Sequence, residues 1–373
     1  MRGFRLGRVA GFEISIDWSW LIIFFLVVYS LARFYFRQAY PGLGVAERWL
    51  MGVAAAILLF SSVLAHELMH SVVARRYGID IKGITLFIFG GVSQIKGEPQ
   101  TPKIEFLMAI AGPLTSFVIA GIFYAITRAG AAARWPLPAL GITGYLAFIN
   151  LALGAFNLIP GFPLDGGRVL RSALWAGLKN LEAATRYASY VGQGFGYLLM
   201  GFGFFDILGG GFFNGIWLAL IGWFLAGAAR SSYEQLIVKE ALSGIEVERV
   251  MTSDVPTVAS DVTIDDFVEN YLMRHQFTCY PVVQADQVEG IVGIDDIRRL
   301  PRAEWASRTV GDVAEQISDD MKVTKQDDVW DALQKLAGTR CQRLLVMHDG
   351  QLDGTVTQDS IARLVRMKMQ LGS

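Results

Sequence analysis

The sequence predicts a polytopic α-helical membrane protein, with about six transmembrane helices and short membrane-associated β-strands, followed by a soluble α/β domain. Of the 373 residues, 53% are hydrophobic and 18% are charged, and the mean hydropathy is +0.40. This composition is more apolar than that of an ordinary soluble protein. Six apolar runs are each long enough to cross a bilayer, and the polar C-terminal third repeats itself.

The apolar runs define the predicted spans. They are roughly Trp18–Phe36, Trp49–Tyr77, Phe106–Ile126, Leu137–Ile159, Tyr187–Phe205 and Phe212–Ala229. The first run starts late, is long and is followed by Arg33, so we interpret it as a span rather than a cleaved signal peptide. Lys and Arg are more frequent in the loops on the side of both termini. The positive-inside rule places that side in the cytoplasm, so we expect a multi-pass protein of the cell membrane with both ends inside.

Two stretches beside the first spans have the pattern of β-strands. Apolar and polar residues alternate in Gly11–Asp17, and Ile79–Ile95 is rich in β-branched and aromatic residues around Gly90 and Gly91. Strands at membrane depth need surrounding protein or a water-filled cavity. One interpretation is a sheet edge at these glycines, with backbone donors in Ile84–Ile88, that takes up an unwound substrate segment. The other is a hairpin that only connects spans two and three.

Three ionisable residues lie close together in the second predicted span. His66, Glu67 and His70 have the spacing His-Glu-x-x-His, which places two imidazoles on one face of a helix with a carboxylate beside them. Zinc hydrolases use this pattern, with a water at the open position of the metal and the carboxylate as general base. The motif is short and also occurs by chance. Its position favours the functional interpretation, because ionisable groups in hydrocarbon need a partner such as a metal ion.

A second motif follows the fourth predicted span and contains Asn157 and Asp165. Pro160 and Pro163 prevent a continuous helix between them, and the glycines at 166 and 167 permit a tight turn. Asp165 can therefore turn back toward the bilayer interior, and it is the best candidate for a third metal ligand. The alternative is an aspartate that caps a helix beginning near Arg168.

Together the two motifs resemble the site-2 protease family of intramembrane metalloproteases. The similarity runs from His66 to His70 and from Asn157 to Gly166, in the order and spacing of that family, with further similar segments at 89–92 and 111–113. It covers about residues 1–230. No inserted segment of PDZ size separates the spans, so the chain is similar to the compact members that carry an accessory domain at the C terminus.

The resemblance implies one Zn²⁺ held by His66, His70 and Asp165, with Glu67 as the catalytic base. It implies that Asn157 holds the substrate backbone. The substrate class that it implies is a membrane protein cleaved in or near a transmembrane segment, often in regulated intramembrane proteolysis.

Charge and cysteine content exclude other classes. The net charge of −1 and the lack of a basic run indicate no positively charged surface for nucleic acid, so no nucleic-acid partner is predicted. Cys279 and Cys341 both lie in the polar C-terminal third. Two isolated thiols are predicted to be unpaired packing residues in a reducing compartment rather than a disulfide framework.

The C-terminal third contains two copies of one unit. The segment Val282–Val292 is similar to Val346–Val356, and the offset from Gly290 to Gly354 predicts a repeated β-β-α unit. The predicted domains are a membrane domain at 1–235, a polar linker at 236–244 and a soluble domain at 245–373. The two copies are predicted at about 245–302 and 308–368.

This repeat is similar to a tandem pair of cystathionine-β-synthase (CBS) domains, which often bind adenine nucleotides between the copies and often form homodimers. In that family a small hydroxyl residue, followed three positions later by Asp, contacts phosphates and ribose. The first copy has Gly293 and Asp296 and the second has Thr357 and Ser360, so each copy has lost one half. Asp296 and Thr357 are the remaining candidates for contact with a nucleotide. A purely structural or dimerising module is an equal alternative.

The motifs therefore favour an intramembrane zinc metalloprotease in the lipid bilayer with a cytoplasmic regulatory domain. The alternative is a membrane transporter or channel regulated by CBS domains. That alternative accounts for the architecture but gives the histidines, Glu67 and Asp165 no joint purpose. Stoichiometric zinc in the purified protein distinguishes the two.

Overall fold

The structure, a computed structural model, divides the chain into two units, which are described separately. The first unit is Met1–Glu234 and the second is Gln235–Ser373. The described residues are 3–371 apart from 89, 98, 254, 275–278, 286 and 340.

A four-stranded sheet lies in the first unit. Its strands are β1 (Gly3–Val9), β2 (Phe12–Asp17), β3 (Asp80–Phe87) and β4 (Gly90–Lys96), in that order across the sheet. β2 is antiparallel to β1 and parallel to β3, and β4 is antiparallel to β3. Phe12, Ile14 and Ile16 are buried and alternate with half-buried polar residues, as the period of two predicts. The strand β1 is not predicted from the sequence, because its Gly and Arg residues have little β-propensity.

The outer strand on the β4 side of the sheet is β4 itself, not the segment Ile84–Ile88. Most of that segment lies in β3, which pairs with β2 on one side and with β4 on the other. The prediction that Ile84–Ile88 offers free strand donors is therefore wrong. Among the described strands of this sheet, only β1 and β4 have an edge along which an added strand could pair.

The rest of the first unit is helical. The helices are α1 (Trp18–Ser30), α2 (Phe36–Ala39), α3 (Val45–Arg76), α4 (Pro102–Ala132), α5 (Leu137–Asn157), α6 (Asp165–Leu178), α7 (Leu181–Leu208) and α8 (Phe212–Leu242). A π-helical turn at Leu31–Tyr35 joins α1 to α2, so that Trp18–Ala39 forms one continuous stretch. In the described part of the chain, six helical stretches are long and apolar enough to cross a membrane, and they coincide with the six predicted spans.

Three of these helices start at a side chain that accepts a hydrogen bond from the first turn. Asp17 accepts from the Ser19 N–H at 2.9 Å and starts α1. The side chains of Thr101 and Asn180 do the same for α4 and α7. Such a cap satisfies a backbone donor that would otherwise have no partner and so fixes where the helix begins.

The helix α3 is held at both ends by buried apolar contacts. Near its C-terminal end, Ala74 lies in a cluster with Ile14 and Ile84 of the sheet and Met108 of α4. Near its N-terminal end, Met51 packs in a separate cluster with α5 and the α1–α2 stretch. The turn that carries residues 66–70 therefore lies between two packed regions.

Large apolar side chains cover much of the outer surface of the helices. Phe25, Phe205 and Trp223 are 66%, 70% and 68% exposed. Such a surface is unfavourable in water but suits hydrocarbon, in which helices satisfy their own backbone groups. The chain is a multi-pass membrane protein.

The second unit contains two sheets and short helices. The first copy contributes β5 (Val258–Ala259), α9 (Ile264–Phe267), β6 (Cys279–Gln284), β7 (Gln287–Gly293), α10 (Ile294–Ile297) and β8 (Glu315–Gln316). The second contributes β9 (Lys322–Val323), α11 (Val329–Leu336), β10 (Arg343–His348), β11 (Gln351–Thr357) and α12 (Gln358–Leu371). The sheet orders are β5-β6-β7-β8 and β11-β10-β9.

The repeat appears in the strand boundaries. The strands β6 and β7 begin at 279 and 287, and β10 and β11 begin 64 residues later, at 343 and 351. Even the irregularity in pairing recurs, between Val282 and Val283 in one copy and between Val346 and Met347 in the other. The last turns of α8 fall in the stretch predicted as a linker, and Leu242 is fully buried in the core of the second copy.

The prediction of two unpaired cysteines is wrong. Cys279 and Cys341 form a disulfide, with their Cα atoms 6.0 Å apart and a sequence separation of 62. Cys279 opens β6 of the first copy, and Cys341 lies just before β10 of the second. The two belong to a cluster with Ile291 and Leu345 where the copies meet. No sequence spacing indicates this pairing, because it depends on how the copies pack.

Removing this disulfide should destabilise the second unit. Closing a loop of 62 residues lowers the entropy of the unfolded chain, which corresponds to about 4 kcal/mol in the loop-closure model. We expect Cys279→Ser to shift urea unfolding of this unit to lower concentration, read from hydrogen exchange of the β6 and β10 amides. A reductant should have the same effect on the parent protein and none on a variant with both cysteines replaced. Equal stability with and without reductant would contradict the pairing.

Candidate active site

The structure brings together the three residues predicted to hold a metal. His66 and His70 lie on α3 and are 3% and 5% exposed. Asp165, the first residue of α6, is half-buried, and its Oδ2 lies 3.1 Å from His66 Nε2 and 3.2 Å from His70 Nε2. One ligand atom from each of these residues lies within 4.8 Å of the other two. Ligands around one tetrahedral zinc are about 3.3 Å apart, given bonds of about 2.0–2.2 Å, so these spacings fit Zn²⁺.

The hydrogen bonds of His70 also point to a cation at this position. Its Nδ1 lies 2.6 Å from the Met108 carbonyl oxygen. A carbonyl only accepts, so Nδ1 must donate, and in neutral imidazole Nε2 is then left with a lone pair. That lone pair faces the Asp165 carboxylate. Two acceptors at this distance repel each other unless a positive charge lies between them, and nitrogen with carboxylate oxygen is a normal donor set for zinc.

Gly112 of α4 leaves the space that an ion would need. A Cβ atom at this position would lie 2.2 Å from His70 Nε2 and 2.5 Å from His66 Nε2. Those distances are close to the length of a zinc–nitrogen bond, so a side chain at 112 would crowd the two nitrogens that would bind the metal.

The position of Asp165 depends on close backbone packing at the start of α6. A Cβ at Gly166 would lie 2.3 Å from the carbonyl oxygens of Leu158 and Ile159, and one at Gly167 would collide with the backbone of Gly161. The sequence predicts a turn at these glycines. In the structure their contribution is close approach, which lets α6 begin at Asp165 and direct its carboxylate at the histidines instead of capping a later helix.

A buried ion pair holds α6 against α4. Glu105 of α4 is fully buried, and its Oε1 accepts from Arg171 Nε at 2.6 Å. The Arg171 side chain is also largely buried. Since Arg171 is less than two turns along α6 from Asp165, this pair fixes the helix that carries the aspartate. Neither residue is predicted from the sequence, because nothing local marks them as partners.

Glu67 lies beside the ligands and against β4. A Cβ at Gly91 would lie 2.4 Å from Glu67 Cγ, so the glycine lets the strand run directly over this side chain. A hydrogen bond of 3.0 Å between the Ser71 and Ser93 hydroxyls joins α3 to β4 one turn further on. The structure thus brings Gly91, one of the two glycines predicted to bind substrate, over Glu67 on an outer strand of the sheet, and Gly90 precedes it on the same strand.

Asn157 is the last residue of α5 and is half-buried. Its Nδ2 donates to the Leu153 carbonyl of its own helix at 3.0 Å. The helix ends at Asn157, immediately before the segment that leads to Asp165, and Asn157 is not one of the three grouped ligands.

Two groups that contact the Nδ1 atoms of the histidines are not predicted from the sequence. Besides the Met108 carbonyl, the Ser116 hydroxyl lies 2.9 Å from His66 Nδ1. Met108, Gly112 and Ser116 are four residues apart and so share one face of α4. That spacing is visible in the sequence, but only the structure shows which helix the face meets.

The candidate nucleotide contacts in the second unit cap helices. Asp296 accepts from the Gly293 N–H at 3.0 Å, and the Thr357 hydroxyl accepts from the Ser360 N–H at 3.3 Å. Each residue thus contributes to the start of α10 or α12.

The family models and curated relatives identify the family of the chain. The model for peptidase family M50 matches residues 54–133 and 129–200, and the CBS domain model matches 247–302 and 310–366. Over 363 residues the chain is 35% identical to the protein named zinc metalloprotease Rip3 of Mycobacterium tuberculosis, covering 96% of this chain and 92% of the relative. Over 369 residues it is 36% identical to zinc metalloprotease sll0528 of Synechocystis sp., covering 97% and 95%.

A solved structure titled Site-2 Protease from Methanocaldococcus jannaschii is also similar. It is 28% identical, with a TM-score of 0.44, over 62% of this chain and 95% of that one. The curated relatives match along almost the whole chain, and they do not support the transporter or channel alternative. The chain belongs to peptidase family M50, the membrane-embedded zinc metalloproteases of site-2 protease type, and carries a C-terminal pair of CBS domains.

Proposed function

We propose that this protease holds one Zn²⁺ through His66 Nε2, His70 Nε2 and Asp165 Oδ2 and cleaves transmembrane segments of membrane-protein substrates. The observation that carries the proposal is the convergence of these three atoms inside the membrane unit, beside the space left by Gly112. When bound, zinc supplies a water of lowered pKa and polarises the scissile carbonyl.

In this proposal Glu67 moves the protons. It accepts a proton from the attacking water as the new C–O bond forms, and it delivers that proton to the leaving nitrogen as the C–N bond breaks. Its place next to His66, under Gly91, keeps the carboxylate at the site while the outer strand covers it.

The substrate is proposed to bind as an added strand along β4. A helical substrate hides its carbonyl groups in its own hydrogen bonds, so the segment must be extended before a nucleophile can reach it. β4 is an outer strand and passes over Glu67 at Gly91, with Gly90 before it. Asn157, the last residue of α5, is proposed to hold the substrate backbone through its amide.

The membrane orientation and the role of the second unit are part of the proposal. Six spans, an even number, would leave both termini on one side, and the excess of Lys and Arg in the loops of that side favours the cytoplasm. The CBS pair would then control access to the protease from the cytoplasm in regulated intramembrane proteolysis, acting as a homodimer.

The ligand set is tested by zinc content. Asp165→Ala removes the anionic ligand and leaves two imidazoles in a site of low polarity, so we expect zinc affinity to fall more than about 100-fold, beyond the loss typical of an outer partner. Affinity is measured by competition with a chromogenic chelator on the purified protein. Asp206→Ala, which removes a carboxylate bonded to Asn214 elsewhere in the unit, serves as control. Stoichiometric, unweakened zinc in Asp165→Ala would remove Asp165 from the ligand set.

Adenine-nucleotide binding by the CBS pair is expected to be weak or absent. The hydroxyl-and-carboxylate pattern is broken in each copy, at Gly293 and at Ser360, while Asp296 and Thr357 take part in helix starts. Calorimetry of the full chain with AMP and ATP measures this. Micromolar binding would mean that the two lost groups matter less than proposed.

A further inference from the structure

One face of α4 contacts the Nδ1 atoms of both histidines. This face carries Met108, Gly112 and Ser116, which are spaced four residues apart. The Met108 carbonyl lies 2.6 Å from His70 Nδ1, the Ser116 hydroxyl lies 2.9 Å from His66 Nδ1, and Gly112 between them faces both Nε2 atoms. The two rings are thus held on their Nδ1 side and face Asp165 with the other nitrogen.

The Ser116 hydroxyl differs from its neighbours in its partner. Hydroxyls on helices in apolar surroundings usually donate to the carbonyl four residues earlier. Thr115, one position before, does this with Ala111 at 2.8 Å, and Thr127 does it with Phe123 at 2.8 Å. Ser116 is fully buried, and its hydrogen bond among the described residues joins α4 to His66 on α3, 50 positions away in sequence.

Which nitrogen of His66 is free depends on the direction of this hydrogen bond, in which either Nδ1 or the hydroxyl can donate. If the Ser116 oxygen accepts from Nδ1, the lone pair lies on Nε2, which faces Asp165 and the space beside Gly112. If the hydroxyl donated instead, Nε2 would carry the proton and could not bind a cation. His70 already has the first arrangement, because its partner is a carbonyl. Only that arrangement lets both rings act on one ion.

We propose that Ser116 is a positioning residue that fixes the tautomer and ring orientation of His66 for metal binding, as the Met108 carbonyl does for His70. The inference rests on the proposed function in one respect, that the two Nε2 atoms bind zinc. A partner of this kind orients a ligand before the metal arrives, and its loss typically lowers metal affinity by 10–100-fold.

The test compares two neighbouring hydroxyls on α4. Zinc affinity of the purified protein is measured by chelator competition for the parent chain, Ser116→Ala, Ser116→Thr and Thr115→Val. We expect a loss of about 10–100-fold in Ser116→Ala, recovery in Ser116→Thr, which keeps a hydroxyl, and parent-like affinity in Thr115→Val. Thermal unfolding of the metal-free proteins separates affinity from folding, since Ser116→Ala should unfold near the temperature of the parent.

Each outcome decides the proposal. Parent-like zinc affinity in Ser116→Ala, or an equal loss in Thr115→Val, overturns the role of Ser116 while leaving the zinc site in place. A parent chain that binds no zinc overturns the proposed function and this inference with it. If Ser116→Ala does not fold, Ser116→Cys keeps the volume with a much weaker hydrogen bond and should show a smaller loss of affinity in the same direction.

Discussion

The Glu67→Gln variant should retain zinc, but its rate of peptide-bond cleavage should fall by about 10²–10⁴-fold, the range for removing a general base. The substitution keeps the shape of the side chain, including its contact with Gly91, and removes only the group that exchanges protons. Zinc content by mass spectrometry and cleavage of a transmembrane reporter in proteoliposomes measure the two effects separately.

Glu47→Gln is a matched control on the same helix. Glu47 accepts from the Gly44 N–H in the first turn of α3, so its loss affects a helix start and not the site. It should leave cleavage unchanged. Turnover in Glu67→Gln at the parent rate would rule out Glu67 as the base, and loss of zinc in that variant would indicate a ligand instead. A retained but uncleaved substrate that co-purifies with Glu67→Gln would identify the natural partner.

Gly112→Ala should abolish zinc binding. The added Cβ would lie 2.2 Å from His70 Nε2 and 2.5 Å from His66 Nε2, and it cannot move away without displacing α4 or both rings. We expect zinc content to fall to background and cleavage to be lost with it. Because the change is a single methyl group on a helix, it should not lower helix propensity, and alanine is the better helix former.

Gly121→Ala on the same helix is the control. A Cβ there meets nothing within 4 Å, so zinc content and activity should match the parent. Both variants carry the same chemical change on α4 and differ only in what the methyl group meets. Full zinc occupancy in Gly112→Ala would show that the metal is held elsewhere.

The sequence predicts those parts of the site that depend on the spacing and type of residues close together in the chain. His66 and His70 are four residues apart on one helix, and that spacing alone sets them on one face. Asp165 is far away in sequence, but the prolines and glycines around it indicate that the chain turns back. The six spans follow from apolar length, because a bilayer imposes that length whatever the tertiary structure.

What the sequence does not predict depends on contacts between distant elements. The partnership of Glu105 with Arg171 and the pairing of Cys279 with Cys341 each join two segments whose approach is set by packing. The strand donors assigned to Ile84–Ile88 fail for a similar reason. A strand pattern shows that a segment pairs, but whether it pairs on one side or on both depends on its neighbours, here β2 and β4.

The face of α4 that carries Met108, Gly112 and Ser116 also restricts how α4 can be aligned along α3. Sliding α4 along α3 by one turn, about 5.4 Å, would bring the side chain of Met108 or Ser116 to the place where Gly112 now has none. The two imidazoles would then be blocked rather than supported. Only one alignment of the two helices is therefore compatible with a site for a metal ion. A bound ion would therefore favour this alignment of α4 and α3 over one that is slipped by a turn.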